Sequence, residues 1–87
     1  MGEDSPLQFP CRFPIKVMGP TRPGFSEEVC RLVRAQAPDL GDADVRCRAS
    51  SGGRYLSVTV TINAQSRAQL DAIYQALTAW EGSSFVL

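Results

Sequence analysis

Residues 54–64 carry the clearest hydrophobic pattern in the chain, an uninterrupted alternation of apolar and polar side chains. A period of two with many β-branched residues predicts a strand. Because its two faces differ so strongly in polarity, this strand belongs to a sheet that is covered on one side only. The predicted covered positions are Leu56, Val58, Val60 and Ile62.

Two other stretches show the 3.6-residue rhythm of amphipathic helices. In the first, Thr21 is a candidate N-cap and Pro38 ends the helix, whereas the second begins at Ser66 and Gln69, which form a Ser-x-x-Gln capping box. The predicted buried positions of the first helix are Phe25, Val29, Leu32, Val33 and Gln36. Those of the second helix are Leu70, Ile73, Tyr74 and Leu77.

Shorter alternations predict strands over residues 13–19, 43–49 and 83–87, and a Ser-Ser-Gly-Gly sequence before the central strand predicts a hairpin turn. The element order is therefore β-α-β-β-α-β. This order predicts an α+β, ferredoxin-like sandwich: a four-stranded antiparallel sheet in the order 4-1-3-2, with two helices on one face. We expect residues 1–8 to form a flexible lead-in and residues 9–87 to form a single domain.

The amino-acid composition argues against several classes of function. The 87 residues include nine basic and nine acidic side chains, a balance that argues against bulk electrostatic binding of nucleic acid but leaves room for a local basic patch. There is no histidine, and the three cysteines form no CxxC pair. The usual zinc sites and Ser-His or Cys-His nucleophiles are therefore excluded. We expect a non-enzyme without metal or cofactor, located in the cytoplasm with no membrane partner.

The face of the predicted sheet that the helices leave open carries a candidate interaction site, formed by Lys16, Arg46, Arg48 and Tyr55. Three interpretations remain open: a binding surface, an ordinary solvated sheet face, or a homodimer contact. RNA-recognition motifs share this element order, but they need several stacked aromatic side chains on the central strands. Because Tyr55 is the only ring predicted there, nucleic acid is the least favoured partner.

The loop between the first strand and the first helix is a candidate ligand site, formed by Gly19, Thr21, Arg22 and Gly24. Backbone N–H groups at a helix N-terminus attract anions, and Arg22 can add a bidentate grip on a carboxylate. The alternative is a Pro/Gly turn that only begins the helix.

Three segments together resemble the YbeD-like family of small bacterial proteins: residues 9–19, residues 50–64 and the terminal Val-Leu pair. The strings Phe-Pro…Lys-Val-Met-Gly and Ser-Val-Thr-Val-Thr-Ile-Asn-Ala are the most specific, and the resemblance covers nearly all of the chain after residue 8. The family is similar in fold to ACT-type regulatory domains, which bind amino acids. The sequence Thr21-Arg22-Pro23-Gly24-Phe25 resembles the ACT signature Asp-Arg-Pro-Gly-Leu, with Thr21 in place of the aspartate.

The resemblance implies a non-enzymatic, ACT-like regulatory or small-molecule-binding module. It also implies a link to lipoate metabolism, with a metabolic enzyme or a small metabolite as partner. The small size of the chain favours a homodimer, because a short chain buries little of its own surface. The alternative function is a protein-interaction adaptor that uses the open sheet face, and RNA binding comes third.

Overall fold

The computed structural model describes residues 7–87. Residues 1–6, most of the predicted lead-in, lie outside the described part, and Leu7 packs partly buried against the core. The elements in chain order are β1 (Cys11–Pro20), α1 (Phe25–Arg34), a 3-10 turn (Asp42–Asp44), β2 (Val45–Ala49), β3 (Tyr55–Ala64), α2 (Arg67–Ala79) and β4 (Phe85–Val86).

The sheet has four strands in the order β2-β3-β1-β4, and every neighbouring pair is antiparallel. This is the predicted order read from the opposite edge, so the ferredoxin-like prediction is confirmed. β3 pairs with β1 along its full length, from Tyr55 opposite Pro20 to Ala64 opposite Cys11. Its other edge pairs with β2, and β4 pairs with β1 through two residues.

The core lies between the sheet and both helices, and it follows the alternation of the strands. Every second residue of the two central strands faces the helices, because successive side chains of a strand point to opposite faces. The sheet contributes Ile15, Val17, Val58, Val60, Ile62 and Ala64 to the buried core. The helices contribute Phe25, Val29, Cys30, Val33, Leu70, Ile73 and Leu77.

Helix α1 differs from its prediction at both ends. It ends at Arg34, before Pro38, because the chain turns there: the Arg34 guanidinium donates a hydrogen bond to the carbonyl of Leu40 (3.0 Å), and Leu40 packs into the core. Gln36 is therefore exposed, contrary to the prediction, and Cys30 occupies the core instead. At the other end, Gly24 and not Thr21 is the N-cap, and the predicted cap is wrong.

Three strands also differ from their predicted bounds. The first begins at Cys11 and ends at Pro20, because it pairs with the full length of β3. The second strand begins at Val45, because residues 42–44 form the 3-10 turn, in which the Asp44 carboxylate accepts a hydrogen bond from the Gly41 N–H (3.1 Å). The last strand is shorter than predicted and contains only Phe85 and Val86.

Helix α2 begins as predicted. The Ser66 hydroxyl accepts a hydrogen bond from the Gln69 N–H (3.1 Å), whereas the Gln69 side-chain oxygen accepts from the Gln65 N–H (2.7 Å). In a capping box the Gln69 side chain would accept from the N–H of Ser66; here it accepts from the N–H of the preceding residue, Gln65. The Gln69 amide also donates to the carbonyl of Gln36 (2.9 Å), which ties the start of α2 to the end of the α1 segment. Neither helix is long and apolar enough to cross a bilayer, considering residues 7–87.

Candidate functional site: the open face of the sheet

The face of the sheet that faces away from the helices, here called the open face, segregates charge. The four strands together contain no aspartate or glutamate, although the whole chain has as many acidic as basic residues. They contain four cations, all at positions that point away from the helices. These cations are Arg12, Lys16, Arg46 and Arg48.

One of these cations is already paired. The Arg12 guanidinium contacts the carboxylate of Asp44 (2.6 Å) and the side-chain oxygen of Asn63 (3.0 Å). The bond from Arg12 and the N–H of Gly41 hold the pKa of Asp44 below its ordinary value. The side chains of Lys16, Arg46 and Arg48 make no hydrogen bond or ion pair among the described residues. We call these three residues the basic cluster.

The strand register brings the basic cluster together. Thr59 of β3 lies opposite Lys16 on one side and Arg46 on the other. Ser57, in the next row, lies opposite Arg48. The cluster surrounds a cavity of about 360 Å³, in which the two hydroxyl groups supply hydrogen bonds beside the positive charges. The full lining is Lys16, Arg46, Cys47, Arg48, Ser57 and Thr59.

The large exposed apolar side chains lie on the same face. Tyr55, Phe85 and Leu87 are 52%, 62% and 65% exposed. Phe85 lies opposite Met18, and Leu87 exchanges two backbone hydrogen bonds with Lys16 (3.0 and 2.8 Å), which continues the register of β4. Phe85 and Leu87 therefore point to the open face, like Tyr55 at the start of β3.

Tyr55 and Phe85 border a second cavity of about 480 Å³, next to the basic cluster. Its lining is Lys16, Met18, Arg48, Ala49, Ser50, Tyr55, Leu56, Ser57, Ser84 and Phe85. Lys16, Arg48 and Ser57 line both cavities. A ligand that spans them meets positive charge at one end and aromatic carbon at the other.

The open-face residues singled out from the sequence are therefore brought together, whereas Phe85 and Leu87 were missed. The signal that identifies them is their position on either side of Val86. Val86 lies opposite Val17 and faces the core, so its two neighbours along the strand point to the open face. That signal is usable only when the register of β4 is known, because a strand of two residues has no alternation of its own.

The candidate ligand residues lie at the junction of β1 and α1, and Gly19, predicted in the loop, is instead a residue of β1 because it pairs with Leu56 of β3. Gly19 is buried, and a Cβ atom there would lie 2.3 Å from the carbonyl oxygen of Gly82. The Thr21 hydroxyl donates to the carbonyl of Gly53 (2.7 Å), which ties the loop to the β2–β3 turn. The Arg22 guanidinium lies 5.4 Å from the ring centre of Trp80.

Gly24 completes this set and adopts a left-handed conformation (φ 79°), which glycine adopts without strain. Ligand binding by Gly19, Thr21, Arg22 and Gly24 stays a prediction. Elsewhere, residues 7–87 contain no group of three or more His, Cys, Asp or Glu side chains arranged to hold a metal ion.

Comparison with known proteins places the chain in a family. A family described as "Protein of unknown function (DUF493)" matches residues 4–87. A UPF0250 protein of Nitrosomonas europaea is 49% identical over 77 residues, which cover 88% of each chain. A UPF0250 protein of Chromobacterium violaceum is 52% identical over 72 residues, which cover 83% of this chain and 81% of the relative.

Among solved structures, protein HP0495 from H. pylori, determined in solution, matches with a TM-score of 0.74. The match covers 98% of this chain and 89% of that protein at 12% sequence identity, so the likeness concerns the fold alone. The family match and the bacterial relatives confirm the resemblance to YbeD-like proteins. The chain belongs to the DUF493 (UPF0250) family of small bacterial proteins.

Proposed function

We propose that this protein is a non-enzymatic binding module that docks an acidic, partly apolar segment of another protein on its open face. One observation carries the proposal: the basic cluster and the three most exposed large apolar side chains share a face whose strands contain no carboxylate. Exposed apolar patches next to polar residues mark interaction sites on small proteins. The positive charge selects a partner segment with aspartate or glutamate.

The exposure of the rings favours a protein segment over a small molecule. A small-molecule site typically buries about 70–90% of its ligand. Tyr55 and Phe85 are both more than half exposed and flank the cavity of about 480 Å³, which is open to solvent. An extended segment can cover both exposed rings and gains contact area by its length.

The arrangement of the rings favours protein over RNA. RNA-recognition sheets stack bases on aromatic residues of the central strands. Here the central strands present Lys16, Met18, Ser57 and Thr59 at the middle of the open face, and the rings lie at the start of β3 and on the edge strand β4. A second copy of this chain is also disfavoured on this face, because two basic clusters would repel each other. We therefore expect any homodimer to use another surface.

A metabolite-binding regulatory function, with the link to lipoate metabolism that the family resemblance implies, is the second candidate. The observation that favours it is the start of α1, where Gly24 supplies no side-chain cap and Arg22 is exposed nearby. If this function holds, amino acids or lipoyl compounds raise the thermal midpoint, because a ligand that binds the native state stabilises it. The Arg22→Ala variant should then lose the shift.

The docking proposal is tested by photocrosslinking in the native bacterium. The crosslinker p-benzoylphenylalanine replaces Tyr55 on the open face, and in a control protein it replaces Tyr74 on α2, which is half-buried on the other side of the sheet. We expect a protein crosslinked at position 55 through an acidic segment, and a loss of this product when Arg46→Glu and Arg48→Glu are added.

A matched control reverses the same number of charges on the helices, by Arg31→Glu and Arg67→Glu, and should retain the crosslinked product. The proposal would be overturned if position 55 crosslinked to RNA. It would also be overturned if positions 55 and 74 crosslinked to the same proteins.

A further inference from the structure

We propose that one part of the partner segment, next to the part that lies across the open face, binds by strand addition: it pairs with the free edge of β2 as a fifth strand, antiparallel to β2, and places its carboxylates beside Arg46 and Arg48. This inference deepens the docking function proposed above and rests on it. The observations that carry it are the direction of the backbone groups of β2, the missing helix cover over β2, and the charge on its open-face side chains.

The backbone pattern shows which groups of β2 point to its free edge. The Ser50 N–H donates to the carbonyl of Tyr55, directly opposite (2.9 Å), so this is a hydrogen-bonded pair. Such pairs alternate along an antiparallel ladder, and Arg48 and Arg46 therefore direct their backbone groups to β3. The N–H and C=O groups of Cys47 and Ala49 consequently point away from the sheet.

Within residues 7–87, these outward groups have no other partner. No turn or loop bond among residues 7–87 involves the backbone of Cys47 or Ala49. In the described part of the chain, β2 lies at the edge of the sheet and pairs with β3 alone. It thus presents two residues with free donors and acceptors, a template for an additional strand.

The helices leave room for that strand. Cys47 and Ala49 lie opposite Val58 and Leu56, on the side of the sheet that the helices cover, yet both are exposed. α1 therefore stops short of β2. A cavity of about 340 Å³ lies between them, lined by Ser26, Glu27, Cys30, Arg34, Asp42 and Val45. Small apolar side chains of an added strand fit beside Cys47 and Ala49 without displacing a helix.

The charges select the occupant. If β2 of a second copy paired antiparallel about Cys47, Arg46 of each copy would face Arg48 of the other, and like charges directly opposite are destabilising. A strand with glutamates at these positions instead brings each carboxylate within reach of an arginine. The edge therefore favours an extended segment of a different protein, in which acidic residues alternate with small apolar ones.

The test uses a synthetic peptide of seven residues, Val-Glu-Val-Glu-Val-Glu-Val, with an N-terminal fluorophore and an amidated C-terminus. In the proposed antiparallel pairing, the valines lie opposite Cys47 and Ala49 and donate their N–H groups to β2, whereas the glutamate N–H groups face solvent. Two modified peptides carry N-methyl groups, one on the inner valines and the other on the glutamates. Fluorescence anisotropy measures the binding of all three.

We expect valine methylation to weaken binding by about tenfold or more, because it removes backbone hydrogen bonds, and glutamate methylation to have little effect. If both modified peptides lose binding, or if both retain it, strand addition is overturned. Loss with glutamate methylation alone would overturn the antiparallel arrangement, because in a parallel pair the residues flanking the valines donate to β2.

A protein variant provides the complementary measurement. Cys47→Pro removes an N–H group that points to solvent, so the β2–β3 ladder keeps its bonds, and proline is tolerated on edge strands. We expect this variant to have a near-native circular dichroism spectrum and to lose its binding of the unmodified peptide. Normal peptide binding by this variant would overturn strand addition. If the unmodified peptide does not bind the wild type, strand addition is wrong, and the crosslink at position 55 decides docking separately.

Discussion

At the scale of single residues, Gly19 shows how the sheet meets the rest of the molecule. It occupies a helix-facing position of β1, and the carbonyl of Gly82 and the ring of Phe25 both approach it closely. Phe25 in turn packs against Trp80, with 5.2 Å between the ring centres. The absence of a side chain at position 19 therefore lets the segment after α2, the start of α1 and β1 meet.

Substituting Gly19 tests this contact. In Gly19→Ala, the new Cβ atom would lie 2.3 Å from the Gly82 oxygen and 2.7 Å from the Phe25 ring, so the backbone must move. We expect a destabilisation of about 1–3 kcal/mol, typical of overpacking, measured by urea unfolding. Gly52→Ala is the matched control, since a Cβ atom at that position would have no other atom within 4 Å. Equal stability of the two variants would contradict the packing role.

The contact between Arg12 and Asp44 predicts a pH dependence. Because the folded-state pKa of Asp44 is lowered, its ionised form adds stability above the unfolded pKa of about 4, and this contribution is lost as the pH falls through the folded pKa. Arg12→Gln should therefore be less stable than the wild type near neutral pH, with the difference shrinking below about pH 4. Lys16→Gln, which removes a cation that has no ion pair among residues 7–87, should show no such convergence.

At the scale of elements, the start of α2 is specified by adjacent residues. Ser66 caps the helix through the Gln69 N–H, and Gln69 reaches both Gln65 and Gln36. Ser66→Ala should cost about 1 kcal/mol of unfolding free energy, the usual value for a lost N-cap. Ser51→Ala in the exposed β2–β3 turn is the control and should be neutral in the same denaturant titration. A neutral Ser66→Ala would show that tertiary packing alone holds the start of α2.

The element β2 is different, because its two faces lack the contrast of β3. Val45 is half-buried, whereas Cys47 and Ala49 are exposed in spite of their helix-facing positions. Hydrogen bonds to β3 hold β2 in place, and the hydrophobic pattern of β2 contributes little to its packing. Within residues 7–87, β2 keeps one edge unpaired, whereas β3 is paired on both edges, with β1 and with β2.

At the scale of the whole molecule, a net charge of zero conceals a separation of charges. The acidic residues of the described chain all lie in helices, turns and loops, and the strands carry only cations. Several acidic residues are neutralised locally, as Glu28 is by Arg31, whose hydrogen bond lowers the pKa of Glu28. The open face is consequently positive although the molecule is neutral.

This separation predicts a salt dependence. Binding of the acidic peptide should weaken several-fold from low salt to about 0.5 M NaCl, because exposed charges are screened over a Debye length of about 8 Å at 0.15 M. The double variant Arg46→Gln plus Arg48→Gln should bind more weakly and with a smaller salt dependence. Salt-independent binding by the wild type would exclude the basic cluster as the contact.

The sequence alone determined the elements and their order. The alternation of β3, the helical rhythms and the cap at Ser66 are local patterns, and local patterns set local structure. They also placed Lys16, Arg46, Arg48 and Tyr55 on one face, because the period of a strand and the antiparallel order leave little choice.

Only the tertiary structure decided what depends on the pairing of distant segments. The end of α1 is set by Leu40 entering the core, and Thr21 is held by the carbonyl of Gly53, a residue far along the chain. Phe85 and Leu87 join the open face because β1 fixes the register of a strand too short to show its own pattern. A site built across strand edges becomes visible only when the register is known.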